Sequence, residues 1–134
     1  MKDYAGNQFL VLVIEEKQEI LQQVTLALAA GNYSSRCCTT AESALAAAEE
    51  TPPDLIISAT SLNGESGMEL CERIKQHQGL ETVPVMYLCG GQIPDIIRRH
   101  DLMGGSYYVR KPFDPGVLLE LADKALQIPV LAGN

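Results

Sequence analysis

Short apolar runs alternate with stretches of helical periodicity along this chain of 134 residues. The first run, Phe9–Ile14, is continuously apolar, as expected of a strand that is covered on both faces. A helical pattern follows it, ending at Gly31. Its apolar face is formed by Ile20, Leu21, Val24 and Leu28. Strands that alternate with helices in this way predict a parallel sheet built from βα units.

The same alternation continues to the end of the chain. Four further strands are predicted, at Tyr33–Cys38, Asp54–Ser58, Pro84–Cys89 and Ser106–Val109. A second helix is expected to open at a capping box, Thr39-x-x-Glu42, and to end at Glu50. Later helices are marked by Met68, Leu70, Cys71 and Ile74, by Pro94 to about Met103, and by Asp114-Pro115 to about Leu126.

Five βα units predict an α/β fold, a doubly wound (βα)₅ parallel sheet in the order 2-1-3-4-5. One domain is expected over residues 9–127, after an extension at 1–8 and before a tail or linker start at 128–134. In sheets of this kind the functional crevice lies at the carboxyl ends of strands 1, 3 and 4. The residues at those strand ends therefore decide the function.

Composition and charge exclude several classes of function. A net charge of −7 argues against a nucleic-acid partner, because phosphate contacts require clustered Lys and Arg. No apolar run approaches the roughly 18 residues of a membrane span, so we expect a cytoplasmic protein without a membrane partner. The four cysteines form no C-x-x-C pair and lie in apolar segments, which predicts buried, reduced thiols rather than a zinc site.

Two charged features fall at the predicted crevice. Glu15 and Glu16 end the first strand, where they are candidate ligands for a hard cation such as Mg²⁺ or simply an acidic start to a helix. Lys111 precedes Pro112 at the end of the fifth strand, where a cis peptide would aim its ammonium across the crevice. An acidic loop would also repel a bound phosphate, which argues against a dinucleotide site.

Four stretches together resemble the response-regulator receiver (CheY-like) family, over about residues 9–126. They are VLVIEEKQEI at 11–20, PDLIISATSLNGESGMEL at 53–70, PVMYLCG at 84–90 and GGSYYVRKPFDP at 104–115. The resemblance implies a flavodoxin-like receiver fold in two-component, phosphorelay signalling. It assigns the family's acidic pair to Glu15 and Glu16, its lysine to Lys111 and its aromatic switch residue to Tyr108.

This sequence departs from the family pattern at positions that take part in its phosphoryl chemistry. The phosphoacceptor position is Ala59, the hydroxyl position of the switch is Cys89, and the loop proline is Asn63. A methyl group is neither a nucleophile nor a metal ligand, so the resemblance implies a pseudo-receiver without catalytic residues. Ser58 and Thr60 are expected to point away from the crevice. With one carboxylate gone, an ion pair of Lys111 with Glu15 or Glu16 is favoured over Mg²⁺, and no cofactor is expected.

The leading hypothesis is therefore a protein-interaction module that is not an enzyme. The resemblance implies a binding face on the fourth helix, fifth strand and fifth helix, comprising Ile96, Ile97, Tyr107, Tyr108, Leu118 and Leu119. Its partner would be a histidine kinase or another signalling domain, with a homodimer as the alternative. A second hypothesis is a redox or quinone-like sensor in which Cys89 has a lowered pKa near Lys111. No Ser/His/Asp arrangement supports catalysis.

Overall fold

The computed structural model describes residues 9–77, 79–90 and 106–132. Five parallel strands form the main sheet and, counted along the chain, lie in the order 2-1-3-4-5, which confirms the predicted doubly wound α/β topology. These strands are β1 (Leu10–Ile14), β2 (Ser34–Cys38), β3 (Leu55–Ala59), β6 (Val85–Gly90) and β7 (Tyr107–Lys111). The described helices are α1 (Gln18–Ala30), α2 (Ala41–Glu50), α3 (Gly67–His77) and α4 (Pro115–Ala132).

Two apolar cores lie on opposite faces of the sheet because strand side chains alternate between faces. Val11 and Val13 of β1 pack with α1 and α4. Leu12 and Ile14 of the same strand pack with α2 and α3. In the described part of the chain both faces of the sheet are thus covered, so a cleft is expected at the strand ends.

A small antiparallel hairpin was not predicted. Its strands β4 (Ser61–Leu62) and β5 (Glu65–Ser66) flank a two-residue turn at Asn63-Gly64. Both turn residues have positive φ, 51° and 83°, as a type I′ turn requires. The Asn-Gly pair is the usual sequence signal for this turn, so the hairpin could have been found.

Several predicted boundaries were wrong. The cap of α2 is Thr40 with Ser43, one residue beyond the predicted box, because the Ser43 hydroxyl completes the reciprocal bonds. Strand β7 continues to Lys111, and α4 extends to Ala132 rather than to about Leu126. The predicted fourth helix, at 94–103, lies outside the described residues.

The cysteines only partly follow the prediction. All four are free, and Cys38, Cys71 and Cys89 are buried, but Cys37 is exposed. Strand β2 is an edge strand with four exposed residues, so burial was wrongly expected for Cys37. Among the described residues, none of the helices is both long enough and apolar enough to cross a membrane.

Candidate functional site

A cleft of about 350 Å³ opens at the carboxyl ends of β1, β3, β6 and β7. It is lined by Glu15, Glu16, Lys17, Thr60, Ser61, Gly90 and Lys111. Parallel strands bring their carboxyl ends to one edge, and this is why residues 96 positions apart meet here. The structure therefore brings together the acidic pair and the lysine that the sequence singled out.

A buried ion pair forms the floor of the cleft. Lys111 Nζ donates to Glu15 Oε1 at 2.8 Å, and the side chains are 18% and 1% exposed. Glu15 Oε2 accepts from the backbone N–H of Lys17 at 3.1 Å, at the start of α1. The Lys111–Pro112 peptide is cis. Both oxygens of Glu15 thus have protein donors, and the internal pair expected from the sequence forms with Glu15 rather than Glu16.

Glu16 is exposed and turns towards the hairpin. Its Oε1 accepts from the backbone N–H of Asn63. The Asn63 side chain in turn donates to the carbonyl of Thr39 at 3.0 Å. The adjacent carboxylates therefore face different donors, which separates their charges without a cation between them.

Ala59 ends the central strand β3 and is 1% exposed. Its carbonyl accepts from the Ser58 hydroxyl at 2.9 Å. A Cβ on Gly67, the first residue of α3, would lie 1.8 Å from that carbonyl oxygen. Only glycine fits at such a distance, so the start of α3 is packed directly against the backbone of residue 59.

The hydroxyl residues around Ala59 divide between the core and the cleft. Ser58 is buried and lies outside the cleft lining, as strand alternation predicts. Thr60 lines the cleft together with Ser61, so the expectation that it points away was wrong. The reason is that β3 ends at Ala59, and alternation stops where the strand stops.

Cys89 does not have the properties of a reactive thiol. It is 1% exposed at the end of β6. Burial raises its pKa, and this outweighs the nearby Lys111 and Arg110, which act in the opposite direction. The lowered pKa that the sensor hypothesis needed is therefore contradicted, because desolvation of the thiolate exceeds the attraction of the two cations.

A buried polar and aromatic cluster lies behind Ala59, and sequence reasoning missed it. The Cys71 thiol lies beside Ser58 and Tyr87, and burial raises its pKa to about 11. Burial likewise raises the pKa of Tyr87. The Tyr87 ring stacks on Tyr108 with centroids 5.7 Å apart. Tyr108 is thus half-buried and packs against the core through Tyr87.

The predicted output face is only partly at the surface. Leu118 is buried in the core between the sheet and α1, because it shares one face of α4 with Ala122 and Ala125. Tyr107 and Leu119 are half-buried, whereas Val117 is exposed. Ile96 and Ile97 lie outside the described residues. Leu118 was therefore wrongly assigned to a binding surface.

The cleft residues do not fit a magnesium ion in this arrangement. Mg²⁺ requires nearly octahedral oxygen coordination and gives up its waters reluctantly. Both oxygens of Glu15 are engaged, and Glu16 accepts a backbone N–H. Across residues 9–77, 79–90 and 106–132, no group of three His, Cys, Asp or Glu residues is placed to hold a metal ion.

The fold and the acidic, lysine-containing cleft define a doubly wound α/β protein of the receiver type. Residues 11–123 match the model of the response regulator receiver domain, and the chain belongs to that family. The chemotaxis protein CheY4 of Vibrio cholerae has the same fold, with a TM-score of 0.80 at 24% identity over 89% of this chain and 99% of that one.

Two curated relatives are named as transcriptional regulators. The chain is 37% identical over 79 residues to "Probable transcriptional regulator ycf29" of Pyropia yezoensis, covering 58% of this chain and 35% of that protein. It is 27% identical over 109 residues to the phosphate regulon transcriptional regulatory protein PhoB of Pseudomonas aeruginosa, covering 81% and 48%. The chain therefore spans less than half the length of either relative.

Proposed function

We propose that this receiver domain is a pseudo-receiver, a protein-interaction module that takes no phosphoryl group at residue 59. One observation carries the proposal: the side chain at the carboxyl end of the central strand is the methyl group of Ala59. A methyl group cannot form an acyl phosphate. Assignment of the phosphoacceptor position to Ala59 rests on the family resemblance and on the register of β3 beside β1 and β6.

The surroundings of residue 59 support the same proposal. Lys111, the lysine that would hold a phosphoryl oxygen, is 2.8 Å from Glu15. Cys89 offers a buried thiol, a poor hydrogen-bond donor, at the position of the family's hydroxyl. Ser61 lines the cleft, but within the described residues no histidine lines it as a general base. Receiver domains are in general signalling modules rather than enzymes, and we assign no catalytic residue.

Phosphoryl transfer can be tested directly on the whole chain. The protein is incubated with acetyl phosphate and Mg²⁺, and intact mass spectrometry measures the gain of a phosphoryl group. We expect none for the natural sequence. Ala59→Asp restores a carboxylate nucleophile, and Ala59→Asn restores its size without nucleophilicity. A phosphoryl group on the natural chain, mapped to Ser61 or Thr60, would show that another cleft residue accepts phosphoryl transfer, and it would refute the assignment as a pseudo-receiver.

The binding surface is proposed to include the exposed part of β7 and α4. Val117 is 47% exposed on α4, and this helix contacts β7, whose Tyr107 is half-buried. A partner kinase or other signalling domain would cover this apolar surface, and a second copy of the chain is the alternative. No nucleic-acid or membrane partner is proposed, since the net charge is −7.

The surface is tested by comparing Val117→Asp with Leu26→Asp. Leu26 is the matched control because it is also an exposed large apolar residue, at 68%, but lies on α1. Sedimentation equilibrium measures self-association, and titration against the histidine kinases of the same cell measures partner binding. We expect Val117→Asp to weaken binding at least about tenfold, a loss of about 1.4 kcal/mol. An equal effect of both substitutions would contradict this choice of surface.

A further inference from the structure

The tip of the hairpin is tied to two other parts of the cleft through one residue, Asn63. Its backbone N–H donates to Glu16 Oε1, and its side-chain Nδ2 donates to the carbonyl of Thr39 at 3.0 Å. The residue adopts a φ of 51°. Asn63 thus connects the hairpin to the carboxyl end of β1 and to the loop between β2 and α2.

These contacts depend on the kind of residue at position 63. Proline has no N–H, and its ring fixes φ near −65°. A proline at this position could therefore make neither the bond to Glu16 nor the left-handed turn. Asparagine tolerates a positive φ better than most residues and retains the donor. Glycine would keep the N–H and the backbone angle but would lose the bond to Thr39.

We infer that Asn63 is a positioning residue that holds Glu16 in place at the cleft, the role that a divalent cation would otherwise have. Glu15 is neutralised by Lys111 at 2.8 Å and receives the Lys17 N–H at 3.1 Å. Glu16 receives the Asn63 N–H. A cation that bound both carboxylates would have to displace a lysine and an amide donor. The two bonds of Asn63 therefore hold the hairpin against the end of β1 and the loop before α2.

This inference extends the proposed function, since it explains how the cleft is stabilised when residue 59 brings no third carboxylate. The proposed function and the inference about Asn63 can be refuted by different results. Phosphoryl transfer to the natural chain would contradict the proposed function. The experiments that follow use no phosphoryl donor and measure only amide protection and cation affinity.

The first experiment measures amide hydrogen exchange by NMR on the natural chain and on Glu16→Ala. We expect the Asn63 amide to exchange about tenfold faster in Glu16→Ala, because it loses its charged acceptor. The Lys17 amide is the internal control, since its acceptor is Glu15, and its protection factor, which corrects for the changed neighbouring side chain, should not change. Equal Asn63 exchange in the two proteins would overturn the inference.

The second experiment compares Asn63→Pro with Asn63→Gly, using Mn²⁺ alone as the probe. Paramagnetic broadening of the Ser61 and Gly90 amides, which belong to cleft-lining residues, reports binding. We expect Asn63→Pro to bind Mn²⁺ about tenfold more tightly than Asn63→Gly, because only proline removes the competing N–H. Equal affinities would overturn the inference, as would saturable Mn²⁺ binding to the natural chain that Glu16→Gln abolishes.

A third observation covers the case in which Asn63→Pro does not fold. The natural chain is titrated with Mg²⁺, and the amide shifts of Asn63 and Lys17 are followed. We expect no saturable shift in either amide. A saturable shift of both would show that a cation competes with their bonds to the two glutamates, and it would overturn the inference.

Discussion

Replacing Lys111 by methionine tests how strongly the cleft depends on its buried ion pair. Methionine keeps most of the length of the side chain and removes the charge. The carboxylate left behind is 1% exposed, and Lys111 itself is 18% exposed. Removing one partner of a buried pair costs about 3–5 kcal/mol. Glu15 keeps the Lys17 N–H, and the cleft admits water, so we expect the lower limit, about 3 kcal/mol.

A double variant separates the energy of the ion pair from the energy of side-chain packing. Glu15→Gln alone removes the buried charge but keeps a side chain of the same size, and we expect a loss of about 1–3 kcal/mol. Combined with Lys111→Met, the two losses should not add, because the first substitution already removes the interaction. We expect a coupling of about 1–3 kcal/mol between the two sites.

An exposed ion pair in the same protein provides the reference. Arg36 pairs with Glu50, and their side chains are 42% and 67% exposed. Arg36→Met should therefore cost less than about 1 kcal/mol. Urea unfolding followed by circular dichroism measures the stability of the natural chain, the two single cleft variants, the double variant and Arg36→Met. Lys111→Met should lower the unfolding midpoint by about 1–2 M urea. The reasoning fails if Lys111→Met and Arg36→Met are equally stable, or if the coupling is zero.

Three further outcomes are expected. Gly67→Ala should lower the free energy of unfolding by about 3 kcal/mol or more, measured with urea, because its Cβ would lie 1.8 Å from the Ala59 carbonyl oxygen. Gly64→Ala should lower it by only about 1 kcal/mol, from its positive φ, because the added Cβ meets nothing within 4 Å. Equal losses would contradict this reasoning. Cys37 alone should react rapidly with a thiol reagent in the native protein, because the other three cysteines are buried. Cys37→Ser should therefore abolish the fast phase of the reaction, and a fast phase that remains would contradict this. Burial raises the Cys71 pKa from 9.0 to about 11, so its contribution to the free energy of unfolding is complete below pH 9 and is lost as pH rises to 11. Cys71→Ala should therefore make the free energy of unfolding less dependent on pH between pH 9 and 11. An unchanged dependence would contradict this.

The sheet order and the position of the cleft followed from the sequence because they depend on local patterns. Continuous apolar runs mark covered strands, and right-handed crossovers leave few ways to connect them. The end of β1 and the end of β7 are fixed by that topology, so the approach of Glu15 and Lys111 could be predicted. The sequence could not predict which of the two glutamates pairs with Lys111, because both lie next to each other at the end of β1.

Other features depend on contacts between distant segments. The contact of Cys71 with Ser58 and Tyr87 joins α3, β3 and β6, and no spacing within any one element indicates it. The burial of Leu118, in contrast, could have been predicted, since positions 118, 122 and 125 share one face of a helix. That error came from assigning the residue by family resemblance instead of by its helical phase.

Both carboxylates at the cleft accept hydrogen bonds from the protein itself, and this bears on what controls the domain. Glu15 pairs with Lys111, and Glu16 accepts the backbone N–H of Asn63. In the described part of the chain, each of these carboxylates therefore has a donor. A ligand shifts an equilibrium only by its different affinity for the two states. A cation that bound these carboxylates would have to compete with the donors they already have, so the proposed pseudo-receiver is expected to respond to the concentration of its partner.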